Sequence, residues 1–256
     1  MLDRAWRIVA TAFCFAFFGL GGVLIGLVAF PLLMLASPDR AMRTKRAQAL
    51  IHHVLRIFVG LMRTVGVISL EVHGAQRLLR SGQLVLANHP SLIDVVILMS
   101  LLKQTNCIVK GALWRNPFTR GPVIAAGYIS NHGGSALIGD CVTALQQGDN
   151  LIVFPEGTRT PVNGPMQMQR GAANIAVRAA CIVTPVVIRV STPMLPKGRP
   201  WYRVPPTRPH FIVSVEDDID MQTFLTQDRP ATLAARDLTQ WLHDFFTRET
   251  QQIAAA

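Results

Sequence analysis

Two regimes of hydrophobic patterning divide this chain. From Ile8 to Ala36 an apolar run carries no charged residue. It is longer than the roughly 20 residues that cross a bilayer as a helix. Beyond residue 66, short apolar runs alternate with segments of helical period. The runs predict strands at 67–73, 83–87, 106–110, 127–130, 150–154, 182–190 and 210–215. Helical spacing predicts helices at 91–102, 135–147, 171–180 and 231–248. Strands alternating with helices argue for an α/β fold, with a mixed or mostly parallel central sheet flanked by helices. Pro185 interrupts the run 182–190, which suggests a sheet edge or a strand end. Residues 191–209, rich in Pro, Arg and Gly around Trp201-Tyr202, read as a surface loop and a candidate contact for lipid or substrate. Trp241, Leu242, Phe245 and Phe246 should pack the last helix on the sheet.

The apolar N-terminal run is flanked by Arg4 and Arg7 before it and by Arg40, Arg43, Lys45 and Arg46 after it. Both flanks are basic, so the positive-inside rule gives no orientation for a single span. Gly19, Gly21, Gly22, Gly26 and Pro31 offer places to bend. A helical hairpin or re-entrant insertion would put both flanks on the cytoplasmic side. A signal peptide fits poorly, because the run is long and Leu35-Ala36-Ser37-Pro38 is a poor cleavage site. A second helix is predicted over 41–66. Leu50, Leu55, Phe58 and Met62 lie on its apolar face, with Arg43, Lys45, Arg46, Arg56 and Arg63 as its charges. It suits either a membrane surface or packing against the rest of the chain.

Charge narrows the partners. The 256 residues carry a formal net charge of +10, which favours anionic surfaces. No nucleic-acid motif accompanies it, so nucleic acid is not an expected partner; the apolar N-terminus points to membrane lipids. Cys14, Cys107, Cys141 and Cys181 are scattered without metal spacing and read as buried thiols of a reducing compartment. His52 and His53 are adjacent, so they face different sides of a helix and make a poor metal site.

Two polar motifs carry the chemistry, each just after a predicted strand. Asn88-His89-Pro90-Ser91-Leu92-Ile93-Asp94 follows Leu84–Ala87, and Pro155-Glu156-Gly157-Thr158-Arg159-Thr160 follows Leu151–Phe154. Ligands of open α/β sheets sit outside the carboxyl ends of strands, so two such motifs are able to share one site. Pro90 fits the first turn of a helix, which puts His89 in the turn and Asp94 in the early helix. An Asp bonded to one imidazole nitrogen fixes the tautomer and leaves the other nitrogen as a base. Ser91-x-x-Asp94 is also close to a capping box, which needs no catalysis. Pro-Glu-Gly-Thr is also ordinary turn chemistry, and Arg159 a surface charge.

Taken together and in this order, the motifs resemble the glycerolipid acyltransferases, the lysophosphatidic acid acyltransferase-like family. Met168-Gln169-Arg170-Gly171-Ala172 and Ile182–Ile188 are similar to its later landmarks, and the likeness covers roughly residues 70–215. The resemblance implies a two-part chain: membrane-association helices over 1–66 and an acyltransferase catalytic domain over 67–256. It implies His89 as general base and Asp94 as its orienting partner, with Glu156, Gly157, Thr158 and Arg159 binding the acceptor. It implies no bound cofactor and no metal. Acyl-CoA or acyl-ACP is the expected co-substrate, so an acyl carrier protein is a partner under the second option. The partners are otherwise membrane lipids and a lipid acceptor at the cytoplasmic face, the inner membrane in a bacterium. One landmark departs from the family. Between the motifs the family carries Gly, apolar residues and Asp-Arg, where this chain reads Gly127-Tyr128-Ile129-Ser130-Asn131-His132-Gly133. That Arg meets the acceptor phosphate in the family. Its position falls on Gly133, which points to the same chemistry on a non-phosphate or specialised acceptor, unless Lys110, Arg115 or Arg120 substitutes. A non-catalytic lipid-binding protein is the alternative of another class, and it has no need of a base.

Overall fold

The computed structural model describes residues 2–37, 39–115, 117–131, 136–162, 164–198, 200–226 and 229–251. Among the described residues seven strands form one sheet: β1 (Ser69–His73), β2 (Leu84–Ala87), β3 (Thr105–Val109), β4 (Ile129–Ser130), β5 (Asn150–Val153), β6 (Val183–Val190) and β7 (His210–Val215). Their order is β1-β7-β6-β2-β5-β3-β4. Every pairing is parallel except β6 with β7. The fold is thus mixed α/β.

Side-chain alternation along the central strands explains the layers. Val85, Ala87, Ile152, Val186 and Ile188 point into one apolar cluster. Leu84, Leu86, Leu151, Val153 and Val187 point into the other. A strand buried on both faces reads as a continuous apolar run, which is why β2, β5 and β6 stand out in the sequence. On the first face lie α3 (Arg40–Thr64) and α4 (Asp94–Leu101), with α6 (Pro117–Ala125) beside them. On the second lie α7 (Ala136–Gln146), α8 (Arg170–Ala179) and α9 (Ala231–Gln251). Cys14, Cys107 and Cys141 are buried free thiols, and Cys181 is half-buried.

Pro185 lies inside the sheet rather than at its edge, since β6 pairs with both β2 and β7. The strand-end reading survives in a narrower sense. N–H and C=O of one strand residue face the same neighbour, and the Pro185 carbonyl accepts from Glu216 N–H, one residue past the end of β7. The missing donor of Pro185 therefore faces a rung that β7 no longer supplies.

The apolar N-terminus forms one helical column. α1 (Leu2–Leu24) passes through a π turn at Ile25–Ala29 into α2 (Phe30–Leu35). The column Asp3–Leu35 is long and apolar enough to cross a membrane, with only 11% of its most apolar window buried. The α-helix runs unbroken through Gly19, Gly21 and Gly22, and Gly26 lies within the π turn. A helical Gly costs only about 1 kcal/mol, and strong apolar helix formers surround these. The π turn accommodates Pro31: Phe30 N–H reaches back to Ile25 rather than to Gly26, and the widened turn relieves the carbonyl that the proline ring would strike. The chain reverses after Leu35, so any hairpin consists of the α1–α2 column and α3. There Asp39 caps α3 through Met42 N–H at 2.8 Å.

α5 (Gly111–Arg115) and α6 were not predicted. Pro122 lies inside α6.

Candidate active site

β2 and β5 are parallel neighbours, with Leu86 opposite Val153. The chain leaves both at the same end of the sheet, so the two polar motifs emerge side by side. β5 lies on one side of β2 and β6 on the other. Connections that leave a central strand in opposite directions open a crevice there.

Asn88 sets the start of the first motif. Its side chain accepts from Ile188 N–H at 2.7 Å and donates to the Ile188 carbonyl at 2.8 Å. The amide thus mimics one more rung between β2 and β6, just where β2 ends. His89 follows, with its side chain 16% exposed. Its Nδ1 lies 2.9 Å from Asp94 Oδ2, and its ring stacks on Phe154 at 4.0 Å and 18°.

Asp94 is fully buried. It is the first residue of α4, because Pro90 and Ser91 form a bend and Leu92–Ile93 a turn instead of a first helical turn. The capping box is only half made. Asp94 Oδ2 accepts from Ser91 N–H at 2.6 Å, but the Ser91 hydroxyl donates to the Met194 carbonyl at 2.7 Å. Asp94 Oδ1 has no hydrogen-bond partner among the described residues. Burial pushes the carboxyl from its ordinary 3.8 to about 6, against the lowering effects of the His89 hydrogen bond and of Ser91 N–H.

The second motif braces the first. Glu156 is 3% exposed. Its Oε1 accepts from His89 N–H at 2.9 Å and from the Thr160 hydroxyl at 2.6 Å. Oε2 is buried without a partner among the described residues, and burial raises the carboxyl pKa against those bonds. Thr160 N–H donates to the His89 carbonyl at 2.8 Å, so both sides of the His89 backbone are held from the neighbouring loop. Gly157 sits at φ +65°, where a Cβ would come within 3.3 Å of Gln169; glycine meets both demands of this turn. Thr158 is exposed. Arg159 donates to the Leu195 carbonyl at 2.7 Å.

The sequence-derived residues therefore fall into an inner pair, His89 and Asp94, and a brace, Glu156. Gly157 shapes the turn, and Thr158 and Arg159 lie on its outer side. Asn88, Phe154 and Thr160 were quoted in the motifs without a role. The signal for Asn88 was an amide directly after an apolar run, where a ladder must end or be extended. Lys110, Arg115 and Arg120 are exposed, and Lys110 directly follows β3 at the site's end of the sheet. His132 and Gly133, the altered landmark, lie outside the described residues.

Beside the pair is an apolar cavity of about 270 Å³. Phe15 and Phe18 of α1, Phe58 and Met62 of α3, and Leu92 and Ile93 of the first motif help to line it. Among the described residues, no group of His, Cys, Asp or Glu is placed to hold a metal ion.

Residues 69–189 match the family model described as Acyltransferase. A Caenorhabditis elegans protein provisionally named as a 1-acyl-sn-glycerol-3-phosphate acyltransferase is 33% identical over 40% of this chain and 39% of its own length. The 1-acyl-sn-glycerol-3-phosphate acyltransferase of Pseudomonas aeruginosa is 24% identical over 55% of this chain and 57% of its own. The chain thus spans less than two thirds of the length of these relatives. The crystal structure of the 1-acyl-sn-glycerophosphate acyltransferase PlsC from Thermotoga maritima superimposes with a TM-score of 0.76. That match has 19% identity and covers 99% of this chain and 98% of the other, a likeness of fold.

Proposed function

We propose that the chain is a glycerolipid acyltransferase, which transfers a fatty acyl group from an acyl-CoA or acyl-ACP thioester to a hydroxyl of a lysophospholipid or related lipid; the match of residues 69–189 to the Acyltransferase family model supports this reading. The carrying observation is the His89–Asp94 pair at 2.9 Å, with the Asp fully buried. Bonded through Nδ1, His89 keeps Nε2 for the acceptor hydroxyl, takes its proton as it attacks the thioester carbonyl, and returns a proton to the leaving thiolate. Asp94 orients the ring and stabilises the imidazolium. No acyl-enzyme is required. Glu156 and Thr160 position His89 through its backbone, and Arg159 stands at the acceptor side. The apolar cavity beside the pair is suited to hydrocarbon.

Membrane association follows from the exposed column Asp3–Leu35, with the site at the cytoplasmic face between basic flanks. A second reading keeps this chemistry and changes the acceptor. Its ground is Gly133, standing where the family has the phosphate-contacting Arg. Product mass spectrometry with both donors and a panel of lysophospholipid and non-phosphate acceptors tests both readings. The proposal expects thiol release matched by acylated product. Thioester hydrolysis without acylated product from any acceptor would contradict it.

A further inference from the structure

The segment between β6 and β7, residues 191–209, is fixed on its inner side and open on its outer side. Met194, Leu195, Val204 and Pro205 are buried. The Met194 carbonyl accepts from Ser91 and the Leu195 carbonyl from Arg159, one contact from each motif. From the other direction Arg7 of α1, 2% exposed, donates to the carbonyls of Pro205 and Pro206. Arg208 donates to the carbonyls of Arg63 and Ile68. The segment thus bridges the apolar N-terminal column and the catalytic loops.

Its tip is of another character. Lys197 and Arg203 are exposed, and between them Trp201 and Tyr202 are 44% and 58% exposed. Water gives no reason to present two such rings side by side. Rings with a polar edge prefer the boundary between headgroups and acyl chains. The tip is continuous with a lipid-suited surface, since Trp201 lies 5.3 Å from Phe15 of α1, and α1 exposes Phe13, Phe17 and Leu20. Charge agrees. From Ser191 to Val215 the sequence holds four Lys and Arg residues, Lys197, Arg199, Arg203 and Arg208, after Arg189 and with no Asp or Glu. Basic groups near a bilayer are drawn to anionic lipid.

We propose that residues 197–203 are a second membrane anchor, separate from α1, whose Trp201 and Tyr202 enter the headgroup boundary of an anionic bilayer. Lys197 and Arg203 meet lipid phosphates there. Through Met194 and Leu195 the same loop seats the catalytic motifs at the membrane surface. The inference rests on the membrane association proposed above.

The test uses the full chain on vesicles with brominated acyl chains, either phosphatidylcholine alone or mixed with phosphatidylglycerol. Quenching lost on Trp201→Phe is the Trp201 signal. Sedimentation and acyl transfer are measured on the same samples. The expected result is a clear Trp201 signal, weakened by Lys197→Gln with Arg203→Gln on the anionic vesicles. Trp201→Ser with Tyr202→Ser should lower transfer to a vesicle-embedded acceptor about tenfold, and transfer to a dispersed short-chain acceptor less than about twofold. Equal quenching of wild type and Trp201→Phe, in a protein that sediments and transfers, would overturn the anchor and leave the acyltransferase reading standing. A Trp201 emission change caused by an acidic acyl carrier protein without vesicles, and none with them, would overturn it in favour of a protein partner. A wild-type protein that sediments and shows the Trp201 signal without transfer would count against the activity and support the anchor.

Discussion

A single carboxylate oxygen, Oδ2 of Asp94, holds both the His89 ring and the Ser91 N–H. One residue therefore serves both the turn and the catalytic role proposed for Asp94. Asp94→Asn keeps an oxygen for Ser91 N–H and loses the charge that stabilises the imidazolium. We expect transfer to fall at least about 100-fold, with stability changed by less than about 1 kcal/mol; retained activity in a destabilised variant would make Asp94 only a cap. The buried carboxyl also sets a pH dependence. Its pKa of about 6 when folded exceeds the ordinary 3.8. Its protonated form thus favours folding fully below about 4, and that contribution is lost as pH rises through about 6. Activity runs the opposite way, because only the carboxylate stabilises an imidazolium. The rate should decline as pH falls through about 6, and a profile flat from 7 to 5 would contradict the assignment. Glu156 acts on His89 through an acceptor oxygen, which Gln also supplies. Glu156→Gln should therefore lose less than about tenfold in kcat and Glu156→Ala distinctly more, with Tm as the control for folding.

At the scale of elements, the site depends on two parallel strands ending together and on one side-chain rung beyond them. Asn88→Ala removes both hydrogen bonds to Ile188 and leaves its buried backbone groups unpaired. It should cost about 2 kcal/mol or more in urea unfolding and lower kcat by displacing His89. Wild-type stability would show that the rung is dispensable. The strands were legible because burial on both faces leaves continuous apolar runs such as Leu84–Ala87, and the two motifs because polar residues stand directly after them. Sheet order was not legible. That β5 inserts between β2 and β3 is what brings Glu156 to His89, and no local pattern states it. The N-terminal glycines were read as places to bend by local propensity, whereas the helix departs from α geometry only at the π turn before Pro31. The role of Glu156 also escaped the sequence: it was expected to face the acceptor, and it lies buried under the His89 backbone.

For the whole molecule, the basic flanks on both sides of the apolar run carry the proposal that both termini lie on one side of a membrane. Tags at each end should both resist protease in sealed cells and both be cut after lysis; an N-terminal tag cut from outside would establish a single span with that terminus outside. The acceptor change proposed from Gly133 predicts that lysophosphatidic acid is a poorer acceptor than the best of a mixed panel. Matching rates would show that this segment does not report the acceptor. The central claim is that His89 is the base of an acyl transfer. The direct measurement is the rate of acylated-lipid formation by purified wild type and His89→Ala on the same vesicles with the same thioester. The account predicts product from the wild type and a loss of about 100-fold or more in the variant, with unchanged Tm and unchanged vesicle binding. A folded, membrane-bound His89→Ala protein that transfers at a near-normal rate would contradict it.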